Sequence, residues 1–245
     1  MNIATFLASF KPHASQTSTA EKLRSGLAGG IAILLLTLAL HALPQARFPL
    51  LIVASMAASA TLLYATPHSP LAQPWNLVGG HLVSALAGLA CSALIADPTL
   101  AAGAAVGSAI LLMELLSCLH PPSAATALMM VLGSSQLHDM NWQWAFAIVA
   151  VNVGISLLLA LVINNLLPGR RYPMHALQGQ TRPKPAPFIT LEQTDIELAL
   201  QQMNSEIDVS QEVLAEIYKL ALQQAQIRID REFPRVQQSK IKTRQ

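Results

Sequence analysis

The chain has 245 residues, of which 53% are hydrophobic and only 11% are charged. Soluble domains contain roughly 25% charged residues, so this composition excludes an ordinary water-facing globular domain. The charges are also unevenly placed, because residues 25–168 contain just Arg47, Asp97, Glu114 and Asp139. A segment with so few charges is predicted to lie in the lipid bilayer, and no basic stripe indicates nucleic-acid binding.

Four apolar stretches are long enough to be complete transmembrane helices, since a crossing takes about 20 residues with a range of roughly 17 to 25. They are residues 23–43, 49–65, 74–96 and 142–167, each bounded by prolines or charges. Pro74 at a helix start and Trp75 beside it are typical of the end of a span.

A fifth stretch, residues 99–133, is too long for one helix and is interrupted by Pro121 and Pro122. It predicts two helical parts, 99–119 and 121–133, of which the second is too short to cross unaided. We interpret the pair as a broken or re-entrant element, which a membrane tolerates only where protein or water surrounds it. The predicted fold is an all-α polytopic transmembrane bundle. It has four full spans plus this pair as a hairpin, the form we prefer, or six crossings.

Basic residues stand just before the first span and just after the last one, as Lys22, Arg24, Arg170 and Arg171 show. Because positive charge marks the cytoplasmic side, both termini are predicted to be cytoplasmic in a multi-pass protein of the inner (plasma) membrane. The predicted organisation is a cytoplasmic N-terminal segment (1–22), a transmembrane domain (23–168), a linker rich in Pro, Arg and Gln (169–189) and a cytoplasmic helical tail (190–245).

Small residues recur along the predicted spans, for example Gly79, Gly80, Gly88, Gly103 and Gly107. Small residues three or four positions apart let membrane helices approach closely, so tight packing is predicted. The tail carries a short apolar seam that either folds back on a neighbouring helix or joins two subunits. Assembly into a homo-oligomer therefore stays open.

The polar residues around the sequence His120-Pro121-Pro122 form the candidate site. Proline is favoured at the first positions of a helix, because it lacks the N–H group that would stay unpaired there. The N–H groups of Ser123 and Ala124 are then expected to be free at the positive end of the helix. Such a helix start binds anions, and transporters commonly place broken-helix starts near the bilayer midplane. The sequence therefore predicts an anion site at this break.

Other polar groups extend the candidate set. A carboxylate inside a membrane is rare unless it is paired or protonated, so Glu114 is expected to be neutral or to pair with His120. The hydroxyls of Ser117 and Thr126 could complete a ring of hydrogen bonds. The candidate substrate-binding residues are Asn76, Gly80, His81, Glu114, His120, Pro121, Pro122, Ser123, Ala124 and Thr126.

Other interpretations of the same residues remain. The break could be a structural kink in which His120 caps a backbone carbonyl. His81, Glu114 and His120 could suit a divalent ion, but no two have the spacing by which one helix presents two ligands. No nucleophile–base pair and no nucleotide-binding loop is visible. The sequence thus predicts no metal site, no cofactor, no catalytic residues and no enzyme.

Two stretches carry a more specific signal. Residues 116–127 read Leu-Ser-Cys-Leu-His-Pro-Pro-Ser-Ala-Ala-Thr-Ala, and residues 74–81 read Pro-Trp-Asn-Leu-Val-Gly-Gly-His. Together they resemble the HPP family of small membrane proteins, named for its His-Pro-Pro motif. Plastid and cyanobacterial members are associated with nitrite transport, so the resemblance implies a transporter or channel for a small anion with nitrite as the leading substrate. The alternative is a non-transporting assembly or regulatory subunit that acts through helix packing and its tail.

Overall fold

The structure, a computed structural model, describes residues 17–43, 49–133 and 141–174, a few isolated positions before residue 17, and Tyr218; of residues 49–53 it describes the backbone alone. The chain divides into two compact units, residues 1–183 and 184–245. Everything below concerns the first unit. Because Tyr218 alone is described in the second, the predicted tail helices lie outside the described residues.

The described part of the first unit is built from helices without any strand, which confirms the predicted all-α class. In chain order the elements are α1 (Thr19–His41), α2 (Pro49–Ala65), a 3-10 turn (Pro70–Ala72), α3 (Pro74–Leu94), α4 (Pro98–Leu115), α5 (Ser123–Leu132) and α6 (Trp142–Leu166). Helices α1, α3, α4 and α6 are long and apolar enough to cross a membrane, while α2 and α5 are shorter apolar helices. Helix α2 has the predicted bounds of the segment 49–65 and, with 17 residues, lies at the short limit for a crossing.

The helices begin where local chemistry favours a start. The Ser18 hydroxyl accepts the Glu21 N–H at 3.2 Å before α1. The Asp97 carboxylate accepts the Leu100 N–H at 2.8 Å before α4. A side-chain acceptor at this position satisfies one of the N–H groups that a helix start leaves unpaired. Prolines open α3 and α4, where the missing N–H costs nothing.

Successive helices run in alternating directions. Arg170, just after α6, contacts the Glu21 carboxylate at the start of α1 and the Tyr64 carbonyl at the end of α2. The Trp75 indole at the start of α3 donates to the Leu116 carbonyl at the end of α4, at 3.2 Å. These contacts define one end of the bundle, which we call the terminal face, where α1 begins and α6 ends. Helix α4 reaches the terminal face itself, and α5, with 10 residues, is too short to cross a bilayer unaided, as the sequence predicted.

Helix α3 lies at the centre, against α4, α5, α6 and the 3-10 turn. Its glycines explain how closely these elements approach. A Cβ atom at Gly80 would lie 2.7 Å from the His120 Cβ, and one at Gly88 would lie 2.5 Å from the Ala127 carbonyl oxygen. A Cβ at Gly103 would meet nothing within 4 Å. Tight packing through small residues is thus confirmed for α3, whereas this glycine of α4 faces outward.

A strap of residues 167–174 closes the terminal face. The Arg170 side chain is buried, with 4% of its surface exposed. Its Nε donates to Glu21 at 2.6 Å, one terminal nitrogen to the Tyr64 carbonyl at 2.8 Å and the other to the Ser25 hydroxyl at 2.7 Å. A buried guanidinium is tolerated when it is both paired and hydrogen-bonded. One arginine therefore joins the ends of α1, α2 and α6.

The strap also holds the 3-10 turn. The Tyr172 hydroxyl donates to the Ala72 carbonyl at 2.8 Å, and the Met174 N–H donates to the Gln73 side chain at 2.9 Å. Burial raises the pKa of the Tyr172 phenol. Burial, reinforced by the charge of Arg170, lowers the pKa of His68 in the loop before the turn. Both side chains are therefore neutral near pH 7.

Candidate functional site

Helix α4 ends in a turn that directs the chain back into the bundle. The Cys118 N–H donates to the Met113 carbonyl at 2.9 Å, and the Ser117 N–H donates to the Glu114 carbonyl at 3.1 Å. Ser117 has a φ of 52°, the left-handed conformation that this type of helix end requires. The Asn76 amide then donates to the Leu119 carbonyl at 2.8 Å. Asn76, a predicted substrate-binding residue, thus fixes the segment that leads to His120.

The His-Pro-Pro turn itself differs from the prediction in one respect. The Ser123 N–H donates to the His120 carbonyl at 2.9 Å, and the Ala124 N–H donates to the Pro121 carbonyl at 3.2 Å. These i to i−3 bonds tighten the first turn of α5 in 3-10 fashion. The expectation that both N–H groups are free is therefore wrong, because the turn's own carbonyls satisfy them. A bare helix N-terminus is not available to an anion in this structure.

Two histidines that are 39 positions apart in the sequence meet on one serine. The Nε2 atoms of His81, on α3, and His120, before α5, both lie 2.9 Å from the Ser59 hydroxyl oxygen of α2. The imidazole centroids are 5.2 Å apart, with the rings inclined at 59°. His81 Nδ1 lies 2.8 Å from the Thr126 hydroxyl, and His120 Nδ1 lies 2.8 Å from the Leu71 carbonyl. We call this set, Thr126–His81–Ser59–His120–Leu71, the histidine chain.

The partners of the histidine chain fix where its protons lie. The Leu71 carbonyl can only accept, so His120 carries its proton on Nδ1 and its Nε2 accepts from the Ser59 hydroxyl. The Ser59 oxygen then accepts from His81 Nε2–H, and His81 Nδ1 accepts from the Thr126 hydroxyl. With neutral imidazoles this order satisfies the four contacts along the histidine chain; the Ser59 hydroxyl, which also lies 3.2 Å from the Ser55 carbonyl, donates its one proton to the nearer His120 Nε2. The two histidines are therefore opposite tautomers, and every donor points from Thr126 toward Leu71.

The four side chains of the histidine chain are all buried, with exposures between 0% and 2%. Gly80 lies directly behind them, where any side chain would collide with His120. The Ser123 hydroxyl donates to the His120 carbonyl at 2.6 Å and completes the turn. The structure therefore brings together His81, His120 and Thr126 of the predicted set, with Gly80 and Ser123 as close supports.

Other predicted residues lie elsewhere. Glu114 is exposed at the end of α4 and does not pair with His120, whose two nitrogens bond to Ser59 and Leu71. Of the two alternatives expected for Glu114, the pair with His120 is therefore wrong, because the face that α4 turns toward α3 carries Met113 and not its neighbour. Ser117 is also exposed and joins no ring of hydrogen bonds with Thr126.

Sequence reasoning missed two members of the histidine chain. Ser59 lies among the small residues of α2, where a serine looks like one more packing residue. Leu71 contributes a backbone carbonyl, for which its side chain gives no signal. A buried serine hydroxyl on an apolar helix needs a partner, and that need is the one available hint toward Ser59.

A small cavity of about 10 Å³ lies between α1, α2 and α6, lined by Leu36, Met56, Tyr64 and Ser156 among others. The Tyr64 hydroxyl is buried there without a hydrogen-bond partner among the described residues. This volume is about that of one water molecule. The cavity is therefore too small for a polyatomic anion, and the histidine chain is the better candidate site.

Comparison with known proteins gives a consistent result. Residues 14–173 match the family model described as "HPP, transmembrane region". Two Dictyostelium discoideum proteins, each named only as a transmembrane protein, are similar to the chain. One is 40% identical over 131 residues, covering 51% of this chain and 45% of that protein. The other is 38% identical over 154 residues, covering 61% and 49%. The chain thus spans about half the length of the curated relatives it matches. No solved structure matches the chain.

Proposed function

Because the chain belongs to the HPP family of transmembrane proteins, we propose that its polar centre serves transport, as a channel or carrier for a small anion rather than as an enzyme. Nitrite is the leading substrate, on the strength of the family's association with nitrite transport. We place the protein in the inner (plasma) membrane with both termini in the cytoplasm, from the distribution of basic residues.

The histidine chain is the observation that supports transport. Polar groups are costly inside a membrane bundle, and polar or ionisable residues retained there usually mark a substrate or ion pathway. A helix kink needs a capped carbonyl, which His120 alone would supply. It does not need a second histidine, a serine and a threonine from three helices. The excess of polar side chains over what the fold requires favours a functional site.

The geometry also offers a point at which an anion can bind. His81 Nδ1 lies 2.8 Å from the Thr126 hydroxyl at the inner end of the histidine chain. An anion oxygen that took the place of this hydroxyl would accept a hydrogen bond from His81 once Nδ1 carries a proton. Charge-assisted hydrogen bonds of this kind are roughly twice as strong as neutral ones. The same position is closed on all sides, so transport requires an opening motion of the helices around it.

Nitrite uptake into proteoliposomes tests the proposal. Wild-type protein, His120→Ala and Ser84→Ala are compared with empty liposomes, whose signal measures leak of protonated nitrite through the bilayer. Ser84 is a matched control, because it is buried on α3 and its hydroxyl faces the Met113 sulfur at 3.8 Å instead of the histidine chain. We expect uptake by wild type and Ser84→Ala, and its loss in a folded His120→Ala.

Equal signals from the wild type and the empty liposomes would remove nitrite as the substrate. A screen of other small anions would follow. If none of them moved, the assembly or regulatory subunit would become the better account of the protein.

A further inference from the structure

We infer that the protein moves its anion together with a proton, in an electroneutral step in which the histidine chain holds the proton. This inference rests on the proposed transport function and specifies its coupling. Its basis is the distribution of charge around the site, combined with the order of donors and acceptors along the histidine chain.

Among the residues that the structure describes, the segments that form the histidine chain carry no fixed charge. The histidine chain is contributed by α2, α3, α5, the 3-10 turn and the His-Pro-Pro turn before α5, and α6 packs against α2 and α3. None of these segments contains an Asp, Glu, Lys or Arg residue. Among the described residues of α4, the one charged side chain is Glu114, which is exposed. Arg170 and Glu21 pair with each other at the terminal face. Among the described residues, the remaining titratable groups on these segments are Tyr64, Cys91, Cys118 and the two histidines themselves.

An anion in such a place has no counter-charge, and neither has an imidazolium. A single unpaired charge in a low-dielectric interior is strongly disfavoured, whereas an adjacent opposite charge offsets much of that cost. The neutral histidine chain can accept one proton and so supply the missing positive charge. The anion and the proton therefore stabilise each other at the site, and each is expected to enter only with the other.

The proton order gives the step a balanced form. A weak acid at the Thr126 position donates its proton to His81 Nδ1 and becomes the anion. His81 then passes its Nε2 proton to Ser59, and Ser59 passes its own proton to His120 Nε2. The anion and the protonated His120 then stay in the site together, so that its net charge is zero. When the anion leaves toward the terminal face, His120 releases its Nδ1 proton to water that replaces the Leu71 carbonyl. The O–H bond of the acid is broken and one O–H bond to water is formed, so the anion and one proton have both crossed.

The two ends of the chain suit this direction. Thr126 is buried in α5, with 2% of its surface exposed. Leu71 is half-buried in the 3-10 turn at the terminal face, next to the exposed Pro70. The histidine chain therefore leads from the interior of the bundle to the terminal face. The substrate class that fits is the conjugate base of a weak acid, a class to which nitrite belongs.

The test separates the pH gradient from the membrane potential as the driving force. Initial rates of nitrite uptake are measured in proteoliposomes in which a potassium gradient with valinomycin sets the potential and the buffers set the pH difference. The samples are wild type, Ser59→Ala, Ser59→Thr, Ser84→Ala and empty liposomes. A pH-sensitive dye inside reports the protons that accompany nitrite.

We expect the protein-dependent rate of nitrite uptake by the wild type and Ser84→Ala to rise when the exterior is made acidic and to stay unchanged when the membrane potential is reversed. One proton should enter with each nitrite ion. Ser59→Ala, which disconnects the histidines, should lose the protein-dependent component. Ser59→Thr keeps the hydroxyl and should retain it. All samples share the same lipid, so leak of protonated nitrite cancels.

A protein-dependent rate that follows the potential and ignores the pH gradient would keep the transporter and overturn the coupling. A rate in folded Ser59→Ala equal to that of wild type would overturn the role of the histidine chain. If Ser59→Ala does not fold, the wild-type uptake rates under the membrane potential and under the pH gradient decide whether nitrite and proton move together. An absence of protein-dependent nitrite uptake under both gradients would overturn the proposed nitrite transport and this inference together.

Discussion

His81 and His120 are held by different kinds of partner, and that difference determines their chemistry. A carbonyl fixes the proton of His120 on Nδ1, while the serine between the rings leaves His81 with its proton on Nε2. Each residue is thus an acceptor on one side and a donor on the other. A pair arranged in this way can pass a proton without separating charge over a long distance.

The tautomers can be measured directly. In ¹⁵N-histidine-labelled protein in detergent near pH 7, we expect His120 to show the Nδ1–H neutral form and His81 the Nε2–H neutral form. The chain has seven histidines, so the signals are assigned by their loss in His81→Gln and His120→Gln. Two identical tautomers, or an imidazolium signal from either ring, would contradict the proton order.

At the scale of single helices, the glycines of α3 set the distance to α5 and to the His-Pro-Pro turn. A Cβ at Gly88 would lie 2.5 Å from a backbone carbonyl oxygen and 2.7 Å from the Met130 Cβ. The obstructing atoms belong to the backbone and to the rigid base of a side chain, so they cannot move aside independently. Helix α5 would have to shift as a body, and the histidine chain would shift with it.

Gly88→Ala should therefore destabilise the bundle by about 1–3 kcal/mol, the usual range for overpacking a tight core. Gly103→Ala is the matched control, because a Cβ there meets nothing within 4 Å and alanine is the better helix former. Thermal unfolding in detergent should show a lower Tm for Gly88→Ala and an equal or higher Tm for Gly103→Ala. Equal losses at both positions would show that glycine content, and not the contact with α5, controls stability.

Sequence alone predicted the starts of α3 and α4 and the break well, because prolines and charges are local signals, whereas α1 begins at Thr19, before the predicted start at residue 23. Pro74, Asp97 and Pro98 stand within a residue of the starts of α3 and α4. Which face of a helix points inward was not predictable in the same way. Apart from Glu114, helix α4 is apolar on every face, so its hydrophobic pattern does not indicate that Met113 is buried and that Glu114 is exposed. The rotation of α4 follows from packing against α3, which a hydrophobicity pattern does not record.

For the candidate site, the sequence predicted the two histidines but not the serine that connects them. His81, His120 and Thr126 stand out because polar groups are rare in this part of the sequence. Ser59 joins them across separations of 22 and 61 residues, and contacts of that range depend on the whole fold. The N–H groups after Pro122 were misjudged for a related reason. Their partners are carbonyls of the turn itself, and whether a turn closes in 3-10 form is decided by geometry that the residue types leave open.

At the scale of the whole molecule, the alternating helices place the start of α1 and the end of α6 at one face. Arg170 makes this arrangement specific, since from its place in the strap it bonds to groups of α1 and α2 at once. The face opposite carries the α3–α4 connection around Ala96. Basic residues concentrate at the terminal face, so the positive-inside rule predicts that this face is cytoplasmic. The inferred proton path then opens toward the cytoplasm.

Labelling of single cysteines in intact cells tests this orientation. The native thiols are removed first, since Cys91 and Cys118 are both free, and then Ala96→Cys or Arg171→Cys is introduced; both positions are exposed. We expect a membrane-impermeant thiol reagent to label Ala96→Cys from outside and Arg171→Cys only after the membrane is opened. The reverse pattern would invert the bundle and direct the proton path outward. Labelling of both positions from outside would contradict the alternation of the helices, because an odd number of crossings must separate the two residues.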